Sequence, residues 1–254
     1  FRLRSPENVI GEVQFLVEKY GARELFDDLD TWPARSKWAE KFCRLMIETG
    51  LNEKIVWSIN ARANDLQDIE KLKLMKKAGC RVLKIGVESA SQETLDRLRK
   101  GVTIEQVRGA VKLCKKVGLT VHLTAMFGYP WETKENMLET IRFIKSLKPD
   151  SVQFSIVTPY PGTELYKQAL EKDWFYVDPA DWDKFDMSQP VLKSDYYSPN
   201  EVTDVCIKAW KSIYFDPMYV ARRILKVRSW RHVRLLLRGA KAVLTAHLGG
   251  LKQC

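Results

Sequence analysis

The run VLKIGV, Val82 to Val87, is apolar but for one lysine, and it ends on a carboxylate, Glu88, with Ser89 behind it. A charge at the mouth of such a run is costly to bury unless something meets it, so Glu88 reads as a group placed to contact a ligand. Four other apolar runs end in the same manner. Residues 22–26 lead into Asp27, Asp28, Asp30 and Thr31, and residues 54–60 finish on Asn60 with Arg62 beyond. Residues 119–127 lead into Gly128, Tyr129, Pro130 and Glu132, and residues 151–157 into TPYPGT, Thr158 to Thr163. One polar end is ordinary strand punctuation; five tips on one rim favour a site. The five cysteines, Cys43, Cys80, Cys114, Cys206 and Cys254, and the three histidines, His122, His232 and His247, are scattered. They form neither a disulfide framework nor a metal knuckle, and Cys43, Cys114 and Cys206 sit where small buried hydrophobes belong.

The elements that must position these tips follow from the pattern between them. The five apolar runs are read as strands, separated by helical patterns, and they begin about 27 to 38 residues apart. That interval fits a strand, a crossover helix and two short loops, hence a parallel sheet. Ser5-Pro6 is a helix start, Ser89 with Gln92 and Thr103 with Gln106 resemble capping boxes, and Gly79 and Gly118 end helices before strands. Val107, Ala110, Val111, Cys114 and Val117 recur at helical spacing and are expected to face the sheet. Short strands apolar on both faces suit a barrel or a doubly wound sheet, and in either the site gathers at the carboxyl ends of the strands. With 254 residues, 45% hydrophobic and 29% charged, the chain can bury one sizeable core with an appendage. No apolar run approaches the roughly 20 residues of a membrane span and no signal peptide is present, so a cytoplasmic protein is expected. A start at Phe1, with the second residue already inside the motif-like RLRSPENV, gives the expectation of a chain that begins part-way through a longer protein.

GVESASQETLDRLRKGVTIEQV, then GLTVHLTAMFGYPWET, then PDSVQFSIVTPYPGTELY resembles the second half of a radical S-adenosylmethionine (SAM) domain. The likeness is to the cobalamin-associated branch, which includes methyltransferases and the anaerobic ring cyclase of bacteriochlorophyll synthesis. It implies an α/β fold, a partial TIM-type (β/α)6 barrel with its second to sixth strands present, and an α-helical C-terminal extension. Residues 1–165 are then the core, 166–197 a linker or extension, and 198–254 a basic helical region. The resemblance further implies SAM, a [4Fe–4S] cluster whose three cysteines lie upstream of this chain, and a cobalamin domain as a further upstream candidate. In that family an electron from the cluster cleaves SAM to a 5′-deoxyadenosyl radical, or cobalamin carries a methyl group recharged from SAM. By the same likeness Glu88 contacts the ribose or amino end of SAM, Arg62 offers a fork to its carboxylate, and Asp27 and Asp28 sit where the family binds the amino group. The DDLD sequence departs there from the commoner glycine-rich version. Phe127, Gly128, Tyr129 and Pro130 are expected to let backbone approach the adenine under an aromatic cover, and Asn60, Thr124, Thr158 and Pro159 complete the implied cofactor contacts. A small-molecule substrate, lipid or hydrophobic pigment included, and an electron donor such as flavodoxin or ferredoxin are the implied partners.

Residues 201–254 hold 11 Lys or Arg against 3 Asp or Glu, most of the chain's net charge of +10. Within them Arg231, Arg234, Arg238 and Lys241 repeat at helical spacing beside Val233, Leu236, Leu237, Ala240 and Leu244, an amphipathic basic helix near 230–248. Docking on the barrel is the preferred reading; contact with a membrane surface is the next, and nucleic acid the least favoured. Two other functions stay open: a tRNA methylthiotransferase, against which the helical tail argues, and a non-catalytic barrel that serves as a binding module.

Overall fold

A computed structural model describes residues 3–27, 29–225, 227, 233–234 and 238–239. Strands and helices alternate along it. Helix α1 (Pro6–Tyr20) leads to β1 (Glu24–Asp27); α2 (Lys37–Glu48) and the short α3 (Leu51–Lys54) lead to β2 (Val56–Ala61). Helix α4 (Ile69–Lys77) precedes β3 (Cys80–Glu88), and α5 (Gln92–Arg97) with α6 (Ile104–Val117) precedes β4 (Thr120–Phe127). Then come α7 (Lys134–Leu147), β5 (Ser151–Ile156), α8 (Glu164–Glu171), α9 (Pro199–Tyr214) and α10 (Pro217–Leu225). All five strands expected from the sequence are present, and they lie in one sheet in the order β1-β2-β3-β4-β5. β1 and β2 pair in parallel, as do β2 and β3, with Asp27 aligned to Ile59 and Ile59 to Leu83.

The helix ends carry the chemistry that their residues dictate. Ser5 caps α1, accepting the Asn8 amide at 3.2 Å, with Pro6 in the first turn where no amide hydrogen is needed. Thr103 and Gln106 close a reciprocal capping box on α6, and Gly118, at φ 80°, ends it. The serine before α5 differs from expectation. Ser91 Oγ accepts the Thr94 amide at 3.3 Å, whereas Ser89 turns inward, because a buried carboxyl there is a stronger partner than a helix amide.

The chain forms two compact units. The first comprises Phe1–Val87, Leu95–Thr124 and Pro149–Val152; the second comprises Glu88–Thr94, Ala125–Lys148 and Gln153–Cys254. In the first, Trp32, Phe42 and Trp57 are buried in contact, with centroids 5.4–6.0 Å apart, and Trp38 stacks on Phe42. In the second, Phe127 stacks on Phe154 at 5.4 Å, and Trp210 of α9 meets Phe154 edge-on. The connection from α8 to α9 has little regular structure but buries Phe175, Phe185, Val191 and Leu192.

The strands alternate, where the sequence reading had them apolar on both faces. On β3, Leu83, Ile85 and Val87 are buried while Lys84, Gly86 and Glu88 are half-buried; on β4, Val121, Leu123, Ala125 and Phe127 are buried while His122 and Thr124 are half-buried. Period-two side-chain direction thus gives these strands one apolar and one mixed face. Val107, Ala110, Val111 and Cys114 of α6 are buried as expected, with Val117 half-buried.

Candidate functional site

Seven of the twelve residues expected to contact a cofactor fall in the second unit, at the carboxyl ends of β3, β4 and β5. Glu88 is the last residue of β3 and has φ 62°, a left-handed conformation that a residue with a Cβ adopts at a cost of about 1–2 kcal/mol. Such strain persists only where the surroundings impose it, and it gathers at functional sites. The turn leaves Glu88 half-buried at the strand end and sends Ser89 into the interior, where it is 0% exposed.

Ser89 leads to a polar cluster: the sequence named Ser89 and Glu132 at two strand tips but not the contact between them. Its hydroxyl donates to Glu132 Oε1 at 2.8 Å, Thr94 Oγ1 lies 3.5 Å from the same oxygen, and Thr140 Oγ1 accepts the Ala90 amide at 2.9 Å. Glu132 is 1% exposed, and its second oxygen, Oε2, is buried without a hydrogen-bond partner. Burial pushes its pKa up to about 7, against the opposing pull of Ser89 and of the backbone at Tyr129 and Gly128. The Glu132 amide donates to the Tyr129 carbonyl at 2.9 Å, so the residue that carries the carboxyl also closes the turn after β4. The one sequence signal for this cluster is an acidic residue inside the otherwise apolar and aromatic FGYPWE.

The turn itself is fastened from the other side. Gly128 has φ 94°, and a Cβ there would stand 3.1 Å from Val202 Cγ1 of α9 and 3.8 Å from the Tyr197 hydroxyl. Ser194 donates to the Pro130 carbonyl at 2.8 Å. Phe127 and Tyr129 are both buried, Tyr129 stacked on Trp131 at 5.4 Å. Burial raises the Tyr129 phenol well above its ordinary pKa, and the carboxylates of Glu88 and Glu132 raise it further. Burial likewise raises Tyr197, with Glu132 adding to it. At the end of β5 the Val157 amide donates to the Phe127 carbonyl at 2.9 Å, Thr158 and Pro159 are buried, and the Thr158 hydroxyl reaches only the Ile156 carbonyl, at 3.4 Å.

The other expected residues belong to the first unit. Asn60 donates to the Leu29 carbonyl at 3.0 Å and its own carbonyl accepts the Trp32 amide at 2.9 Å, which fastens the segment after β1. Arg62 directs one arm of its guanidinium to the Lys100 carbonyl, while its Nε is buried without a partner. Arg99 and Gly101, both left-handed, shape the loop that presents that carbonyl. Asp27 ends β1; its side chain, and Asp28 altogether, lie outside the described residues. Thr124 shares the mixed face of β4 with His122, whose Nδ1 lies 2.8 Å from Ser151 Oγ. Burial, with Lys84 second, lowers the His122 pKa to about 4, so this ring is neutral at pH 7. Lys84 in turn stands 3.9 Å over the Phe26 ring.

Cys43, Cys80, Cys114 and Cys206 are in no disulfide and are buried, as the sequence led one to expect for three of them. Burial pushes Cys43 and Cys114 up to about 12 and Cys80 well above the ordinary thiol value. No group of three or more metal-ligating side chains exists among the described residues. Most of the basic segment 230–248 lies outside them, and no described helix is long and apolar enough to cross a membrane.

The family model of the radical SAM superfamily matches residues 1–144. The chain belongs to the radical SAM superfamily. It is 33% identical over 241 residues to an uncharacterized methyltransferase of Pyrococcus horikoshii, covering 94% of the chain and 51% of that protein. It is 30% identical over 256 residues to the anaerobic magnesium-protoporphyrin IX monomethyl ester cyclase of Cereibacter sphaeroides, covering 98% of the chain and 40% of the cyclase. The chain therefore spans about half or less of these relatives, which are of the two kinds that the sequence resembled. The apo structure of OxsB, a cobalamin-dependent SAM radical enzyme, superposes with a TM-score of 0.66 at 15% identity, covering 95% of this chain and 41% of that one. That likeness concerns the fold, and the expected α/β, partial TIM-type barrel is what this radical SAM chain has.

Proposed function

We propose that this chain binds SAM at the carboxyl ends of β3, β4 and β5 and is part of a radical SAM enzyme that methylates or cyclises a hydrophobic small molecule, with cobalamin as a second cofactor. Membership of the superfamily carries the proposal, and identity with a methyltransferase and a porphyrin-ester cyclase over nearly the whole chain supports the reaction and substrate class. The residues present fit SAM in chemical kind. Glu88 is a strained, half-buried carboxylate at a strand end, able to accept hydrogen bonds from an ammonium or from ribose hydroxyls. Among the described residues the Thr158 hydroxyl donates only to the Ile156 carbonyl two positions before it, which leaves its oxygen available as an acceptor. Glu132 sets the turn that carries Gly128 and Tyr129, and Asn60 and Arg62 order the loops that follow β1 and α5.

When bound, SAM supplies either a methyl group or the radical that initiates the reaction. The described thiols do not fit a [4Fe–4S] cluster, being dispersed and held protonated by burial. The cluster's ligands, and any cobalamin domain, are assigned to the further length that the relatives have, and an electron donor of the flavodoxin or ferredoxin class completes the scheme. The cytoplasm is the proposed compartment. The test is calorimetry of SAM binding to the holoprotein. Glu88→Ala is expected to weaken binding by about 1–3 kcal/mol, the range of a charged hydrogen bond. Unchanged affinity in a folded variant would remove Glu88 from the site.

A further inference from the structure

Helix α10 has its apolar side outward. At 100° per residue, Pro217, Met218, Val220, Ala221, Ile224 and Leu225 fill one continuous arc of about 160°. All six are exposed, with Met218 at 66%, Ile224 at 61% and Leu225 at 84%. Tyr219 points the opposite way, is buried, and meets Tyr214 of α9 edge-on at 5.3 Å. Arg222 and Arg223, both half-buried, fall on the two borders between the apolar arc and the Tyr219 side. The helix start is fixed as well: Asp216 accepts the amides of Met218 and Tyr219 at 2.7 and 3.2 Å and pairs with Lys145 at 2.8 Å. An ordinary surface helix buries such an arc and exposes its charges. Here the anchored side is one tyrosine, and the wide apolar side faces water.

Charge decides what covers it. From Pro217 to the last residue the sequence has nine Lys or Arg and no Asp or Glu. A second copy of α10 packed on the same arc, or the acid-free segment that follows it folded back, would bring more cations against Arg222 and Arg223. A nucleic acid would accept the cations but offers nothing to Met218, Ile224 and Leu225. An anionic lipid surface satisfies both, since acyl chains take the arc and headgroups take the arginines on its borders. We propose that α10 is a peripheral membrane anchor whose apolar arc lies in the interface of an anionic bilayer. The sequence offered such a role to residues 230–248 only as second to docking, and most of that segment lies outside the described residues; the exposed arc assigns it to α10, with the later cations of the sequence adding to the same attraction.

Co-sedimentation of the whole protein with phosphatidylcholine vesicles, with and without phosphatidylglycerol, tests it. Binding is expected only with the anionic lipid and is expected to weaken as salt is raised. Reversing Arg222 and Arg223 to Glu should reduce partitioning by at least about five-fold per position. Ile224→Asp with Leu225→Asp should abolish it, while the melting temperature stays unchanged because both positions are already exposed. Three results would overturn the proposal: no binding by the wild type at low salt, full binding by the double Asp variant, or concentration-dependent dimerisation that the double Asp variant abolishes.

Discussion

Burial holds the Glu132 carboxyl at a pKa of about 7, against 4.5 for an ordinary glutamate, and this gives the rim a measurable pH dependence. Between those values the folded protein keeps a proton that the unfolded chain has lost. The contribution is therefore complete below pH 4.5 and disappears as the pH rises to about 7, with an upper bound of about 3 kcal/mol. His122 acts in the opposite sense: its folded pKa of about 4 lies below the ordinary 6.5, so its contribution is full above pH 6.5 and is lost as the pH falls towards 4. Glu132→Gln keeps the neutral shape without the titration. Its melting temperature, relative to wild type, should rise as the pH is taken from 5 to 7.5. A constant difference across that range would show that Glu132 does not hold its proton. Glu88 offers a second residue-scale test. At φ 62° glycine suffers none of the Cβ clash, so Glu88→Gly should be more stable than Glu88→Ala by about 1 kcal/mol, although both lose SAM affinity. Equal melting of the two would mean that Glu88 is not strained.

At the scale of elements, the turn after β4 is held by two neighbours, the Glu132 cluster on one side and α9 on the other. Gly128 reports on the second. Gly128→Ala should destabilise through its positive φ and through the 3.1 Å approach to Val202, together about 2–4 kcal/mol, and Gly128→Val should be worse. Adding Val202→Ala should recover the steric part of the Ala variant and leave the conformational part. If denaturant melts show no coupling between the two sites, α9 does not support the turn. This division also marks what the sequence made legible. The five strands, the α1 start and the α6 capping box were readable because each depends on neighbouring residues. The left-handed angle at Gly128 is of the same local kind, but its contact with Val202 is not. Ser89 was read as a helix cap by its spacing to Gln92, yet its partner is Glu132, 43 residues away, and that distant carboxyl decides its direction. Arg62 was read as a fork for a ligand, and one arm of its guanidinium takes up the Lys100 carbonyl, a contact the sequence did not show, since a loop with two left-handed residues leaves that oxygen within its reach. Residue type and strand position thus located the rim, while the partners of each side chain depended on contacts between segments remote in sequence.

For the molecule as a whole, the cysteines distinguish a chain that supplies its own cluster from one that handles SAM beside ligands held elsewhere. Cys43 lies on α2, Cys80 opens β3, Cys114 is in the last turns of α6 and Cys206 is on α9. Desolvation holds Cys43 and Cys114 near pKa 12, so at pH 8 their thiolate fraction is on the order of one in ten thousand. Iron–sulfur ligation needs the thiolate, and it needs several on one centre. The 254-residue chain, reconstituted anaerobically with iron and sulfide, should therefore take up no stoichiometric cluster. Cys43, Cys80, Cys114 and Cys206 should also react with iodoacetamide only as fast as the protein opens, whereas in denaturant all four alkylate within the mixing regime of a free thiol. Replacing Cys43, Cys114 or Cys206 by Ala should lower stability modestly and leave SAM affinity unchanged. Four irons per chain with the absorption of a [4Fe–4S] centre, abolished by any of these alanine substitutions, would mean that the fold rearranges to bring its thiols together. The buried cysteines would then be ligands in waiting, not part of the core.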